Sequence, residues 1–268
     1  MSEMRTEKRS DKLLFERDAR GVATLSFNRP EASNAYDQDM LDLLAGHFTR
    51  LGEDNTIRAI VLRGAGRHFS GGADVRWRSS RADPRSGPAP GDAPPLSVFE
   101  LCEHISACPR PTVALVQGGC IGGAFAIASS CDILIAARNA SFAVPEVRLG
   151  FAPGTRAAPL FARAMGVRNF RRYGMTGQRF GAEEALRIGL AHEVCEPELL
   201  QQALARQLDE LLAAAPGAAR QAKKIADRLA PPRPSLEDME PLFAADNPEA
   251  AEGHRSFLEK RRPNWYPN

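Results

Sequence analysis

The chain has 268 residues, 43% hydrophobic and 25% charged, and its 35 Lys and Arg against 33 Asp and Glu leave a formal net charge of +2. That length holds one large domain, or a domain with a helical appendage, and the near balance of charge argues against a nucleic-acid partner, whose phosphates require a concentrated basic face. Cys102, Cys108, Cys120, Cys131 and Cys195 show no CxxC spacing and sit mostly in apolar surroundings, so they read as buried thiols of a reducing, cytoplasmic compartment. The histidines lack the short spacings of a zinc site, and no metal is expected.

Residues 1–12 form a charged stretch without the apolar run of a signal peptide and read as a mobile tail. Leu13 to Glu16 and Val22 to Phe27 are β-rich runs around Arg17–Gly21, which predicts a hairpin. From Asp37 the apolar residues Met40, Leu43, Leu44, Phe48 and Leu51 recur with helical period, and Gly52 is the expected stop. Ala59 to Leu62 predicts a short buried strand. Ser79 to Pro95, rich in Pro, Gly, Ser, Arg and Asp, lacks any period and reads as a mobile loop. Val98 to Ile105 predicts a helix, closed by Cys108-Pro109-Arg110-Pro111.

The chain is organised around Val113 to Leu149. An apolar run (Val113, Leu115, Val116) stops at Gly118-Gly119, Gly122-Gly123 open a small-residue helix ending near Asp132, and Ile133 to Ala136 predicts the next strand. Cys120 to Ala137 is broken by serines and Asp132, so no membrane span is expected. The first amides of a helix lack partners within it, and glycine lets a bulky group approach them. A second glycine turn, HFSGGADV from His68, follows the strand ending at Leu62. If the two turns lie side by side, one amide from each can point at a single oxygen, as an oxyanion hole requires. Beyond lie helices over Ala157–Met165, Asn169–Met175, Ala182–Ile188, Leu199–Ala215 and Ala218–Leu229, a linker at Pro231-Pro232-Arg233-Pro234, an acidic stretch and a last helix near Glu249 to Arg262.

In order along the chain stand NRPEASNA, HFSGGADV, GGCIGGAF with SSCDILIA, FAVPEVRLGFAPG, MTGQRFGAEEALRIGLAHEV and EGHRSFLEKRRP. With these motifs, from about Leu14 to Pro263, the chain resembles the crotonase (enoyl-CoA hydratase/isomerase) family. The resemblance implies an α/β fold: a crotonase-like spiral of ββα units over residues 13–200 and a helical trimerisation region over 201–268, assembling as a homotrimer or a dimer of trimers. It implies an acyl-CoA thioester substrate held between the glycine turns, with no separate cofactor because coenzyme A is part of the substrate. By position, Ala73 and Gly123 would supply the two amides to the thioester oxygen. Ala35, Asp74, Val75 and Gly122 would meet the CoA ester through their backbone. Gly154 would open the helix behind the site, and Phe257 and Lys260 would cap the CoA of a neighbouring subunit.

Of the two glutamates of the family's hydratases, the second matches Glu146 and the first falls on Ala126, which transfers no proton. The expected role of Glu146 is therefore both halves of the proton transfer, from a partly dry pocket between Val144, Val147 and Leu149. The activity implied is hydration of a 2-enoyl-CoA by one glutamate, with a branched or acidic acyl group a candidate. The alternatives are a Δ3,Δ2-enoyl-CoA isomerase and a non-catalytic protein of the fold that binds CoA esters or RNA. Arg148 and Arg156 are candidates for an acidic acyl tail. Arg63, Arg67, Arg76, Arg78 and Arg81 could steer phosphates, although a solvated basic loop is the plainer reading, and His68 reads as structural.

Overall fold

A computed structural model describes residues 11–77, 95–154, 156–230 and 248–267. The expected loop at 79–95, apart from Pro95, lies outside the described residues, as do Arg78, Arg81, the 231–234 linker and residues 1–10 of the expected tail. Residues 11 and 12 are anchored instead: Asn28 Nδ2 donates to the Asp11 carbonyl (2.8 Å), and Lys12 Nζ binds Asp37 (2.6 Å) and Asp39 (2.8 Å).

Strands β1 (Leu13–Arg17) and β2 (Val22–Phe27) form the predicted antiparallel hairpin. Helix α1 (Gln38–Glu53) is capped by Asp37, whose carboxylate accepts the Met40 amide at 3.1 Å. It runs through Gly52, where termination was expected, because this glycine faces inward: a β-carbon there would lie 3.1 Å from Pro109 Cδ. After β3 (Ala59–Gly64), Ser97 and Glu100 form a reciprocal capping box that starts α2 (Val98–Ala107).

The central segment gives β4 (Thr112–Val116), β5 (Gly119–Ile121), α3 (Gly123–Ser129), β6 (Ile133–Ala137) and β7 (Ser141–Ala143). The expected strand-turn-helix is therefore strand, short strand, helix. What reads as a glycine turn is extended at Gly119–Ile121 and pairs in parallel with β7. The helix stops at Ser129, short of Asp132, whose carboxylate accepts the Thr112 amide and hydroxyl (both 2.8 Å) and so ties β6 to β4.

Then follow α4 (Ala157–Met165), α5 (Val167–Thr176), β8 (Phe180–Gly181), α6 (Ala182–Arg187), β9 (Glu193–Cys195), α7 (Leu200–Ala213), α8 (Pro216–Leu229) and α9 (Pro248–Leu258). Helix α9 ends before Arg262 because the backbone turns left-handed at Lys260 (φ 53°).

Six strands make the main sheet in the order β1-β2-β3-β4-β6-β9, parallel from β2 onward, and β5-β7-β8 make a second, smaller sheet. Alternation along the parallel strands builds two cores. Ile60, Leu62, Ala114, Val116, Leu134 and Ala136 pack with α1, α2 and α3, while Val61, Val113, Leu115, Ile135 and Ala137 pack with Leu200, Ala203, Leu204 and Leu208 of α7. Burial on both faces is why these strands read as unbroken apolar runs. The boundary expected at residue 200 thus falls inside a shared core, with α7 covering the sheet's second face. Lys223 of α8 adds an ion pair to Asp132 at 2.9 Å.

Candidate active site

Parallel strands bring the ends of β3 and β4 level, so the loops that leave them run together. Ser70 pairs with Cys120: the Ser70 amide donates to the Gly119 carbonyl (3.0 Å) and the Ile121 amide to the Ser70 carbonyl (3.2 Å). The two glycine turns are therefore neighbouring strands. On its other side the first turn pairs with Tyr36, whose amide donates to Gly72 O (2.9 Å) while its carbonyl accepts from the Asp74 amide (2.8 Å). In a parallel bridge these flanking bonds turn the N–H of Ala73 away from Tyr36, towards the side where Ser70 meets Cys120. Gly123 is the first residue of α3 and its amide points out of the helix end. Gly122, at φ 58° and ψ −122°, makes that entry possible, a conformation closed to residues with a β-carbon.

Glu146 lies over the same turn. It opens a 3-10 turn (Glu146–Leu149) after Pro145, and its Oε1 stands 3.3 Å from where a β-carbon on Gly122 would be. Its Oε2 is shut off from solvent. Helix α9 clamps this turn from behind. Gly150 and Gly253 are in backbone contact with it, since a β-carbon on Gly253 would fall 2.3 Å from the Leu149 carbonyl and one on Gly150 2.1 Å from the Glu249 carbonyl. The Phe151 and His254 rings stack at 5.9 Å.

A family model described as enoyl-CoA hydratase/isomerase matches residues 17–268. The chain belongs to that family. It is 33% identical over 210 residues to a short-chain-enoyl-CoA hydratase of Clostridium acetobutylicum, covering 77% of this chain and 78% of the relative. It is 32% identical over 253 residues to a 1,2-epoxyphenylacetyl-CoA isomerase of Escherichia coli, covering 92% and 95%. Among solved structures, an enoyl-CoA hydratase/isomerase from Marinobacter aquaeolei aligns with a TM-score of 0.74 at 30% identity over 96% of this chain and 99% of that one.

In this member of the family, Ala126 is fully buried on α3, one turn beyond Gly123, so no carboxylate comes from that helix face. Arg148, a candidate for an acidic substrate, instead donates from Nε to the Thr176 carbonyl (2.9 Å) at the C-terminus of α5, with its stem packed on Gly177. Arg156 faces Glu100 (3.4 Å) and Glu103 (3.8 Å) of α2. Ala35 has both backbone groups engaged, its amide on Ala32 O (3.0 Å) and its carbonyl on Arg29 Nη1 (2.7 Å).

Asp74 caps the helical turn that includes Val75. It accepts the Arg76 amide (3.0 Å) and pairs with Arg29 (3.1 Å). Burial raises its proton affinity, but the Arg29 guanidinium and the amides of Trp77 and Arg76 outweigh that and hold the carboxyl below its ordinary range. Gly154 faces open space and its carbonyl accepts the amides of Ala157 and Ala158 (both 2.9 Å), starting α4. Phe257, exposed, and Lys260 sit at the end of α9, which packs on the Glu146–Leu149 turn.

His68 joins the turns through its ring: Nδ1 accepts the Gly119 amide at 2.9 Å, which requires the neutral form. Burial first, then Arg67 and Arg179, push its pKa down.

The residue that reasoning from sequence passed over is Asn34. Fully buried and left-handed (φ 55°), it accepts the Arg29 amide on Oδ1 (2.8 Å) and donates from Nδ2 to Ala65 O (2.8 Å) and His68 O (2.7 Å), while its carbonyl accepts the Ser70 hydroxyl (2.7 Å). Its only signal was an asparagine inside NRPEASNA, where such a residue tolerates the left-handed region.

A cavity of about 510 Å³ lies elsewhere, on the α7 side of the sheet, among Ser26, Arg63, Leu115, Gln117 and Leu200. Gln117 Nε2 is bonded to the Gly64 and Gly66 carbonyls and Arg63 Nε to Ser26, so the size of that space does not make it the chemical centre.

Proposed function

We propose that this protein adds water across the double bond of a 2-enoyl-CoA thioester, with Glu146 as its single proton-transfer group. The observation that carries the reading is the pairing of Ser70 with Cys120, which sets the Ala73 and Gly123 turns side by side while the Glu146 carboxyl lies against Gly122. The thioester oxygen sits between the two amides. As water attacks C3, Glu146 takes its proton and negative charge moves to that oxygen, where fixed donors hold it. Glu146 then returns a proton to C2, giving the 3-hydroxyacyl thioester. One such donor typically lowers the barrier by about 3 kcal/mol. With Arg148 bonded to the Thr176 carbonyl and Arg156 facing Glu100, both at the protein surface, the reading favours a neutral acyl chain over an acidic one.

A second reading, Δ3,Δ2-isomerisation, is favoured by Ala126: one carboxylate moving a proton from C4 to C2 needs no partner on α3. Incubating the protein with a panel of 2- and 3-enoyl-CoA esters separates the two. Loss of conjugated-thioester absorbance with water in the product marks hydration, and a gain from a 3-enoyl ester marks isomerisation. Glu146→Gln is expected to remove turnover and leave CoA-ester binding within a few-fold of wild type; wild-type rates in that variant would overturn the assignment of Glu146.

A further inference from the structure

Far from the glycine turns, one corner of the protein gathers positive charge without a matching carboxylate. Where the segment between α1 and β3, the connector into β4 and the start of α8 meet, Arg58, Arg110 and Arg220 line a cavity of about 10 Å³. Ile57, Pro216 and Ala219 share its walls, and no acidic residue does among those described. A space of that size takes one water-sized body. Arg110 is 3% exposed; its Nη2 donates to Asn55 Oδ1 at 3.0 Å, while its Nε is shut off from solvent and meets no acceptor among the described residues. A buried donor left without an acceptor is costly, the more so on a charged group. Asp54, the carboxylate that bears on Arg110, is engaged by Arg17 (3.4 Å) and by the Thr56 amide (2.8 Å). Burial first, and then the charge of Arg220, draw the Arg110 pKa down. Arg58 is fixed at the same corner by donating from Nη2 to the Leu212 and Ala214 carbonyls (2.9 and 3.0 Å), and the start of α8 adds the partial positive charge of a helix N-terminus. A water would accept the Nε hydrogen but leave three guanidinium charges uncompensated.

We propose that this cavity binds a monatomic anion of chloride size, which accepts the hydrogen of Arg110 Nε and balances the charges of Arg58 and Arg220. Its consequence is the docking of α8. No residue of that helix is buried, and its contacts with the body of the protein include ion pairs of Lys223 with Asp132 (2.9 Å) and of Asp227 with Arg163 (3.1 Å). An anion at its first turn adds a further polar anchor and ties α8 to the connector that leads into β4. The site is independent of the acyl-CoA reading and takes no part in that chemistry.

The test uses chloride as the probe, exchanged against gluconate at constant ionic strength. The wild-type melting temperature is expected to rise hyperbolically with chloride, by about 3 °C at ten times the half-saturating concentration, and hydrogen exchange of the α8 amides is expected to slow over the same range. Arg110→Met and Arg220→Gln should each raise the half-saturating concentration by roughly tenfold or more. Arg220 is only half-buried, so its variant keeps the question open to measurement if Arg110→Met does not fold. Crystals soaked in bromide should show an anomalous peak beside Arg110 in wild type and none in Arg220→Gln. A linear salt response shared by wild type and Arg220→Gln would overturn the site. So would bromide-soaked crystals with no such peak, where a water or a carboxylate of a second copy stands against Arg110 instead.

Discussion

Replacing Asn34 with alanine tests whether the alignment of the two turns depends on one buried amide. The side chain makes three hydrogen bonds, to the Arg29 amide and the Ala65 and His68 carbonyls, and is fully buried. Each partner left unsatisfied costs about 1 kcal/mol at the lower end of the usual range, so the three together cost about 3 kcal/mol. Alanine in the left-handed backbone adds about 1 kcal/mol. The expected loss, about 4 kcal/mol, is large but within the stability of an ordinary domain. Urea unfolding measures it as a lower midpoint at unchanged slope. Because the Asn34 carbonyl also receives the Ser70 hydroxyl, kcat is expected to fall more than stability alone explains, at temperatures where the variant is still folded. Asn34→Asp keeps the acceptor for Arg29 but sets carboxylate oxygen against two carbonyls, and it should do no better than alanine. A loss below about 1 kcal/mol in Asn34→Ala would refute the reasoning, because it would mean water or relaxation satisfies the freed groups.

Two further outcomes are expected. His68 has a depressed pKa in the folded chain, so the unfolded chain takes up the proton first on acidification; its contribution is complete above the ordinary histidine value of about 6.5 and is lost as pH falls through the lower folded value. Between pH 8 and 5 the melting temperature of wild type should therefore drop further than that of His68→Asn, and parallel profiles would contradict the neutral Nδ1 acceptor. Gly253→Ala forces a β-carbon to within 2.3 Å of the Leu149 carbonyl, backbone that cannot move aside, so α9 should lift from the Glu146 turn. Faster proteolysis within residues 248–262 and a lower kcat are expected, at an overpacking cost of about 1 to 3 kcal/mol; protease resistance equal to wild type would contradict the clamp.

Much of the fold was legible because period and turn chemistry are local. The alternating and continuous apolar runs of β2, β3, β4 and β6, the Asp37 cap and the glycine pairs all report backbone conformation within a few residues of themselves. Gly52 misled because a glycine that ends a helix and one that admits a neighbouring chain look alike until Pro109 is in place. The strand β5 was missed since three residues between glycines carry no period, and its extended form is imposed by partners at Ser70 and at β7.

The sequence by itself determined the family, the order of the helices and of strands β1 to β4 and β6, two glycine turns and the single carboxylate in VPEVRLG with alanine at 126. Only the tertiary structure decided that Asn34 and His68 bind those turns together, that Arg148 meets the Thr176 carbonyl and Arg156 meets Glu100, that α9 lies on the Glu146 turn, and that Tyr36 stands at Gly123. The physical reason is range. A residue's backbone preference is set by its neighbours in the chain, whereas the partner of a buried amide or guanidinium is chosen by sheet register and helix packing. Those bring together groups 34 residues apart, as for Asn34 and His68, or 51 apart, as for His68 and Gly119.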